Sequence, residues 1–352
     1  MVCNYNQISI SFWRTAFWRA LAAAALVLDR EPYSGEIIQW LYQPGEWVQM
    51  GNTAKCDGGN LSIHLVDAVD RDGMGNETGP GYNFVWINYL YKVADMLEMY
   101  SSDEKYNLYK NPKFAKMFMP YMTVALTDDH SAQIGDSGWT ANVELEDYLS
   151  VLVRGFQCLK DTNLGNELAE YIYRRNGYTV EGLYYDIFTK EPESIQKEIL
   201  ERIGDDVSAK SDMLPSYGFA VLRDGGVYGE KSKPTYVNNM RDVWMYFGET
   251  DGHGHKDALN IGIEAFGLNF APDNGVPEAK SSADQNRFQW VESTIAHNTV
   301  TVNEKMQNEI GEKDPESGKH GYPLHFDDSG EVKLVDVDFP NAYDATSIYR
   351  RI

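Results

Sequence analysis

The chain has 352 residues, of which 43% are hydrophobic and 24% charged, a composition ordinary for a globular protein long enough for two domains. Its formal net charge of -22 argues against non-specific binding to nucleic acid or to anionic membranes, because both need a basic surface. The three cysteines have no metal-like spacing, which predicts no disulfide framework, and no run reaches the roughly 18 apolar residues of a membrane span.

The first part of the chain is predicted to be helical. Apolar residues recur at helical spacing in residues 84–100 and again in residues 142–159. Shorter helical patterns cover 12–29, 35–43, 112–126, 163–175 and 191–203. The apolar run 20–28 resembles the core of a signal peptide, but no convincing cleavage site follows it, so a packed helix is favoured.

The hydrophobic period changes after about Ser208. Short strand-like runs separated by Gly, Asp, Asn and Pro predict an antiparallel sandwich. These runs are 217–222, 242–247, 297–303 and 331–338. We therefore predict two domains, a helical one over residues 1–208 and a β-domain over residues 209–352.

A histidine cluster in the second part of the chain predicts a metal site. His253 and His255 are two residues apart, so on a strand both imidazoles would face one side of the sheet. Asp273 and His297 follow at longer intervals. Two imidazoles and one carboxylate, taken from His255, Asp273 and His297, form a ligand set typical of zinc with an open fourth position.

A second interpretation of the same segment is a metal-dependent hydrolase that uses His253, His255 and Asp257 directly. The spacing resembles the opening of the metallo-β-lactamase signature. Asp257 is followed by Ala258 rather than by a second histidine, however, and the alternating strand–helix pattern of that fold is absent from the surrounding sequence.

Residues 217–307 resemble the C-terminal region of the heparinase II/III-like polysaccharide lyases. Four blocks carry the resemblance in register, namely 218–223, 247–257, 267–275 and 297–303, with Gln307 closing the last. Two weaker matches lie earlier, in Asp72–Tyr82 and Ile134–Ser137. The resemblance implies an incomplete (α/α) toroid followed by an antiparallel β-sandwich, and a periplasmic or secreted protein that acts on an acidic polysaccharide.

The resemblance also implies a role for individual residues. His255, Asp273 and His297 correspond to the family's zinc ligands, with the zinc in a structural role. His253 corresponds to the histidine that faces the substrate, and Tyr82 to the tyrosine that serves as general acid and general base. These roles fit β-elimination, which removes the C5 proton of a uronate and protonates the O4 leaving group. We expect nearby positive charge to lower the pKa of Tyr82.

Two departures from the family pattern keep another hypothesis open. The family also supplies an Asn or His that neutralises the substrate carboxylate, and only Asn4, Asn6 and Gln7 precede the first predicted helix. Both predicted domains are also short, so we expect a truncated chain. A non-catalytic glycan-binding protein derived from a lyase is the corresponding alternative, and the sequence does not specify an oligomeric state.

Overall fold

The structure is a computed structural model, and it describes residues 12–50, 53–127, 130–138, 148–184, 192–228, 237–250, 252–275, 285–308, 321–344 and 348–352. The chain divides into two compact units. Unit 1 comprises residues 1–76 and 84–118, and unit 2 comprises residues 77–83 and 119–352. Asn4, Asn6 and Gln7 lie outside the described residues.

Unit 1 is built mainly from helices. Its described elements are α1 (Phe12–Leu28), α2 (Tyr33–Tyr42), the hairpin strands β1 (Trp47–Met50) and β2 (Thr53–Cys56), α3 (Leu61–Asp67), α4 (Pro80–Tyr100, from Phe84 onwards) and α5 (Pro112–Lys116). The run 20–28 belongs to α1, in which Ala22 and Ala25 are fully buried, so the packed helix is confirmed. The sequence patterns missed α3.

Unit 2 begins with the first turn of α4 and contains a second set of helices. These are α6 (Pro120–Val124), α7 (Leu149–Leu159), α8 (Leu164–Arg175) and α9 (Pro192–Leu200). The pattern over 112–126 forms two short helices rather than one, because Pro120 cannot donate a backbone hydrogen bond within a continuous helix and instead begins α6. Leu152, Val153 and Phe156 are buried on α7, as the periodicity predicted.

The β-strands of unit 2 pair antiparallel. They are β3 (Ala125–Leu126), β4 (His130–Ser131), β5 (Asp212–Leu214), β6 (Phe219–Asp224), β7 (Val227–Tyr228), β8 (Val237–Asn238), β9 (Arg241–Tyr246), β10 (Asn260–Ala265), β11 (Leu268–Asn269), β12 (Tyr322–Asp327), β13 (Leu334–Asp338) and β14 (Arg350–Arg351). The largest sheet has the order β11-β10-β9-β6-β5, and a second has the order β12-β13-β14. The mixed helical and antiparallel architecture is therefore as predicted.

One hydrophobic core is shared by the two larger sheets. Phe247 from the end of β9 packs in it with Val337 and Phe339 from β13 and the residue after it. Burying an aromatic or aliphatic side chain of this size contributes about 1.5–3 kcal/mol. The buried Arg223 on β6 adds a polar anchor, because its guanidinium donates to the carbonyl oxygens of Met122 and Ala125.

The strand predicted at residues 297–303 is wrong. This segment forms bends and a single bridge between Val302 and Lys305, and Asn303 adopts a left-handed backbone with φ 53° that ends any extended run. Among the described residues, no helix is both long enough and apolar enough to cross a membrane.

Candidate metal centre and tyrosine–histidine pair

The His-x-His segment lies in a loop of unit 2 and not on a strand. His253 has a left-handed backbone, with φ 66°, in a segment of bends. The side chain of His253 is 40% exposed, whereas that of His255 is 0% exposed. The prediction that both imidazoles face one side of a sheet is therefore wrong.

A buried cluster unites His255, Asp273 and His297. One potential ligand atom from each residue lies within 4.8 Å of those of the other two. The His297 Nδ1 atom is 2.7 Å from Asp273 Oδ2, and the rings of His255 and His297 have centroids 5.1 Å apart. These three residues are the ones whose spacing predicted a metal site, and neither His253 nor Asp257 belongs to the group.

Asn260 at the start of β10 fixes two of the ligand-bearing segments. Its side-chain amide donates to Asp273 Oδ2 at 3.0 Å, and its Oδ1 accepts from the backbone N–H of Asn298 at 2.9 Å. The side chain of Gln133 accepts from the backbone N–H of Asp273 at 3.3 Å. Asp273 and the segment that follows His297 are thus held by hydrogen bonds to the side chains of Asn260 and Gln133.

The cluster has the character of a cation site. His255 Nδ1 and His297 Nε2 are buried and have no hydrogen-bond partner among the described residues, and the same holds for both carboxylate oxygens of Asp257, which lies outside the group of three. Burial raises the pKa of Asp257 to about 6, and the nearby Asp273 raises it while His297 and His255 lower it. Unsatisfied buried polar atoms are costly, and a cation held by imidazole nitrogens and carboxylate oxygens would offset this cost.

Asp273 and His297 also perturb each other. Burial alone would lower the pKa of His297, but the hydrogen bond and charge of Asp273 raise it to about 8. Burial alone would raise the pKa of Asp273, but the hydrogen bond from His297 leaves it lowered. Histidine and aspartate bind a metal only through deprotonated atoms, so protons and a metal ion compete for this pair.

Tyr82 and His253 form a stacked pair beside the cluster. Their ring centroids are 3.9 Å apart and their planes differ by 8°. His253 Nδ1 is 2.8 Å from Glu77 Oε2, which orients the imidazole. Tyr82 lies in the first turn of α4, and Pro80 at the start of this helix is the residue type expected there.

Hydrogen bonds hold the segment that carries Glu77 and Tyr82. The Asn83 side chain donates to the Glu77 carbonyl at 2.6 Å and accepts from the Glu77 N–H at 3.3 Å. The Thr78 N–H donates to the Gly252 carbonyl at 3.2 Å, next to His253. Residues about 170 positions apart in sequence are therefore brought together by backbone contacts as well as by the aromatic stack.

The pKa of Tyr82 is raised and not lowered as expected from the sequence. Burial has the largest effect, and the charges of Asp136 and Glu77 add to it, while Arg287 opposes them. The expectation assumed that cations would dominate around the phenol, but two carboxylates lie near it. The phenol of Tyr82 therefore remains protonated at neutral pH.

Asp136 and Arg287 lie at the candidate site, and the sequence did not predict their contacts with it. Asp136 Oδ1 is 3.1 Å from His255 Nε2, and Asp136 Oδ2 is 2.5 Å from an Arg287 guanidinium nitrogen. Arg287 Nε is also 2.7 Å from Glu292. Asp136 lies in the weakly matching motif Ile134–Ser137, and Arg287 begins a short π-helix, a feature frequent at functional sites.

Comparisons with known proteins agree with this architecture. The family model described as "Heparinase II/III-like, C-terminal" matches residues 208–351. A solved heparinase III with methylated lysines is 14% identical over 93% of this chain and 41% of its own, with a TM-score of 0.60. Another heparinase III is 13% identical over 93% of this chain and 43% of its own, with a TM-score of 0.55.

The heparan sulfate lyase HepC from Pedobacter heparinus is 16% identical over 80% of this chain and 36% of its own, with a TM-score of 0.54. At these identities the similarity concerns the fold alone. The chain spans 41% of the length of the first of these structures. No curated protein matches the chain.

Proposed function

The chain belongs to the heparinase II/III-like family through residues 208–351, and we propose that it cleaves a uronic-acid-containing acidic polysaccharide by β-elimination. The observation that supports this best is the stacked pair of Tyr82 and His253, with ring centroids 3.9 Å apart on half-exposed side chains. The two residues to which the family resemblance gives chemical roles are thus neighbours within one unit.

The proposed reaction uses Tyr82 as general acid and general base and His253 as its assistant. The C5–H bond and the C4–O4 bond break, a C4=C5 double bond forms, and O4 leaves with a proton. Tyr82 suits the protonation of O4, because its raised pKa keeps the phenol protonated at neutral pH. His253 is fixed through Nδ1 by Glu77, which leaves Nε2 to meet the substrate.

The base role of Tyr82 has a distinct signature. A phenol with a raised pKa supplies the phenolate only as a minor species at neutral pH. If the same residue takes the C5 proton, turnover should rise about tenfold per pH unit below that pKa. A profile that is flat from neutral to mildly alkaline pH would restrict Tyr82 to the acid role.

We propose that His255, Asp273 and His297 hold a zinc ion. The three ligand atoms, their burial and the unpartnered nitrogens of both histidines fit a small divalent cation, and this ligand set suits zinc among the common metals. Zinc would supply a fixed double positive charge that balances the buried carboxylates. Its role is structural: it braces the loop from which His253 reaches the substrate.

The finer features of the fold belong to the same proposal. The helices of residues 1–208 would form an incomplete (α/α) toroid, and the sheets of residues 209–352 would form a β-sandwich. Export to the periplasm or the cell exterior, where acidic polysaccharides are found, would accompany this function. The core shared by the two larger sheets supports the sandwich.

The proposal is tested by an absorbance assay for unsaturated uronate. The protein is incubated with alginate, hyaluronan, chondroitin and heparan sulfate, the last included because of the name of HepC. At least one glycan should give rising absorbance, and Tyr82→Phe should abolish the rise. A flat trace with every glycan, from folded protein, would contradict the proposal.

Glycan binding without cleavage is the second candidate function. It is favoured by one observation: the charge of Arg287, a cation close enough to act on Tyr82, is shared between the carboxylates of Asp136 and Glu292. A uronate carboxylate would therefore meet little uncompensated positive charge there. Cleavage needs such charge to stabilise the enolate-like transition state at C5, so its shortage disfavours the reaction. This function predicts retention of a glycan on the immobilised protein with no new unsaturated ends.

A further inference from the structure

We propose that Asp136 is a positioning residue that fixes His255 for metal binding and fastens the loop bearing His253. The inference rests on the proposed metal site, but it concerns a residue outside the ligand set. Asp136 is 9% exposed and lies after β4, far in sequence from the loop that it contacts.

The carboxylate of Asp136 determines which nitrogen of His255 carries the proton. Asp136 Oδ1 is 3.1 Å from His255 Nε2. Asp136 Oδ2 pairs with the Arg287 guanidinium, an interaction made by an ionised carboxylate, so Asp136 can only accept from His255. His255 Nε2 must then carry the proton and donate it.

The other nitrogen of His255 is consequently the one available to a metal. His255 Nδ1 is buried and has no hydrogen-bond partner among the described residues. A neutral imidazole with its proton on Nε2 has its lone pair on Nδ1, which is the form that binds a metal. A carboxylate that orients a ligating histidine in this way is a common partner in metal sites.

The backbone of the same segment holds His253. The Asp136 N–H donates to the His253 carbonyl at 2.8 Å. At Gly135, a built Cβ atom would lie only 2.2 Å from that carbonyl oxygen, so the close approach requires glycine there. One segment thus contacts the metal ligand through its side chain and the substrate-facing histidine through its main chain.

Arg287 keeps Asp136 in its accepting form. Its guanidinium contacts Asp136 Oδ2, the oxygen that does not face His255, and a second carboxylate on Glu292 fixes the guanidinium plane. The cation offsets the cost of burying the Asp136 charge. The order of contacts is therefore Arg287 to Asp136 to His255, and the last of these binds the metal.

The first experiment measures metal affinity. Zinc is titrated into the metal-free wild-type chain and into Asp136→Asn, in competition with a chromophoric chelator. The asparagine cannot accept from both His255 and Arg287 as the carboxylate does, so we expect zinc to bind about 10- to 100-fold more weakly. Asp103→Asn, a matched change at an exposed carboxylate of unit 1, should leave the affinity within experimental error.

The second measurement is made on the wild-type chain and therefore does not depend on how Asp136→Asn folds. Long-range ¹H–¹⁵N NMR of the metal-free wild-type chain, labelled at histidine, reports the tautomer of each neutral imidazole. Comparison with His255→Gln identifies the His255 signal. We expect the Nε2–H tautomer, and an Nδ1–H tautomer would overturn the inference.

The outcomes separate this inference from the proposals on which it rests. A wild-type chain that binds no zinc would contradict the proposed metal site itself. Zinc bound equally well by the wild type and by Asp136→Asn would leave the site intact and overturn the role of Asp136. Both readouts are independent of turnover, so they hold whether or not a glycan is cleaved.

Discussion

The metal cluster and the tyrosine–histidine pair each take one histidine from the connection between β9 and β10, but the two histidines have opposite environments. His255 is 0% exposed and faces two other potential ligands, whereas His253 is 40% exposed and stacks on Tyr82. Of these two histidines, His253 alone has a left-handed backbone. The comparison teaches that two histidines of one motif can lie in different environments, and under the proposed function one would brace the fold while the other would meet the substrate.

The largest expected effect is loss of turnover at the exposed pair with no loss of stability. Tyr82→Phe keeps the ring that stacks on His253 but removes the hydroxyl, so kcat should fall by about 10²- to 10⁴-fold while the melting temperature stays unchanged. Both quantities should be unaffected in Tyr184→Phe, a matched change at an exposed tyrosine. A large drop in melting temperature for Tyr82→Phe would mean that the exposed pair, like the buried cluster, stabilises the fold.

The buried cluster should show the converse behaviour. His297→Ala removes a predicted ligand, and the stabilisation by bound metal should disappear with it, about 4 kcal/mol when metal is present at 1,000 times its dissociation constant. The check is thermal unfolding with and without a chelator. The chelator should lower the melting temperature of the wild type and of the exposed-site control His325→Ala but not that of His297→Ala.

Gly135 tests how tightly the segment that contacts the metal cluster packs against the loop of His253. Gly135→Ala places a methyl group 2.2 Å from the His253 carbonyl in a residue with φ 55°, whereas Gly177 has φ 75° with no atom within 4 Å of the added methyl. Gly177→Ala therefore measures the backbone cost alone, about 1–2 kcal/mol. Denaturant unfolding should show Gly135→Ala to be destabilised by at least about 1 kcal/mol more. Equal losses would mean that the close approach is not tight.

A carboxylate pair in the large sheet supplies a reference for buried charge without a metal ligand. Glu264 on β10 lies opposite Asp242 on β9, and burial, assisted by the charge of Asp242, raises the pKa of Glu264 to about 8. The folded chain thus binds more protons here than the unfolded chain, whose Glu pKa is about 4.3. Stability is fully present below that value and falls as pH rises toward 8.

Glu264→Gln should remove this pH dependence of the free energy of unfolding. We expect its effect to be the smallest of these predictions. The variant should be more stable than the wild type at pH 8, by about 2 kcal/mol, because relaxation around the carboxylate reduces the full linkage value. The two proteins should converge near pH 4, below the pKa of Glu in the unfolded chain. Denaturant unfolding at both pH values measures the difference, and parallel pH dependence of the two proteins would contradict the assignment.

Much of the fold could be predicted from the sequence, because periodicity reports burial directly. The helices α1, α4, α7 and α8 and the strands β6, β9 and β13 lie where the patterns indicate. The strand predicted at 297–303 failed because its alternating apolar residues are followed by left-handed positions at Asn303 and Glu304, which a pattern of hydrophobicity does not register.

The candidate site also has features that could be predicted from the sequence and features that could not. The grouping of His255, Asp273 and His297 could be predicted because the family resemblance puts them in register, and imidazole and carboxylate groups are ligands that zinc accepts. Asp136 and Glu77 could not, since a carboxylate that orients another side chain has no spacing rule and depends on chain segments more than 100 residues apart. The pKa of Tyr82 was predicted in the wrong direction because burial has the largest effect on it, and neither this burial nor the closeness of Asp136 and Glu77 to the phenol can be read from a sequence pattern.

The left-handed backbone at His253 also bears on how a substrate complex could be captured. A β-branched replacement would be strained at φ 66° whatever its chemistry, whereas asparagine tolerates this conformation and can still hydrogen-bond to Glu77. His253→Asn is therefore the replacement best suited to crystallographic trapping. It would keep the loop in place while slowing turnover, so that an intact glycan chain could be seen before cleavage.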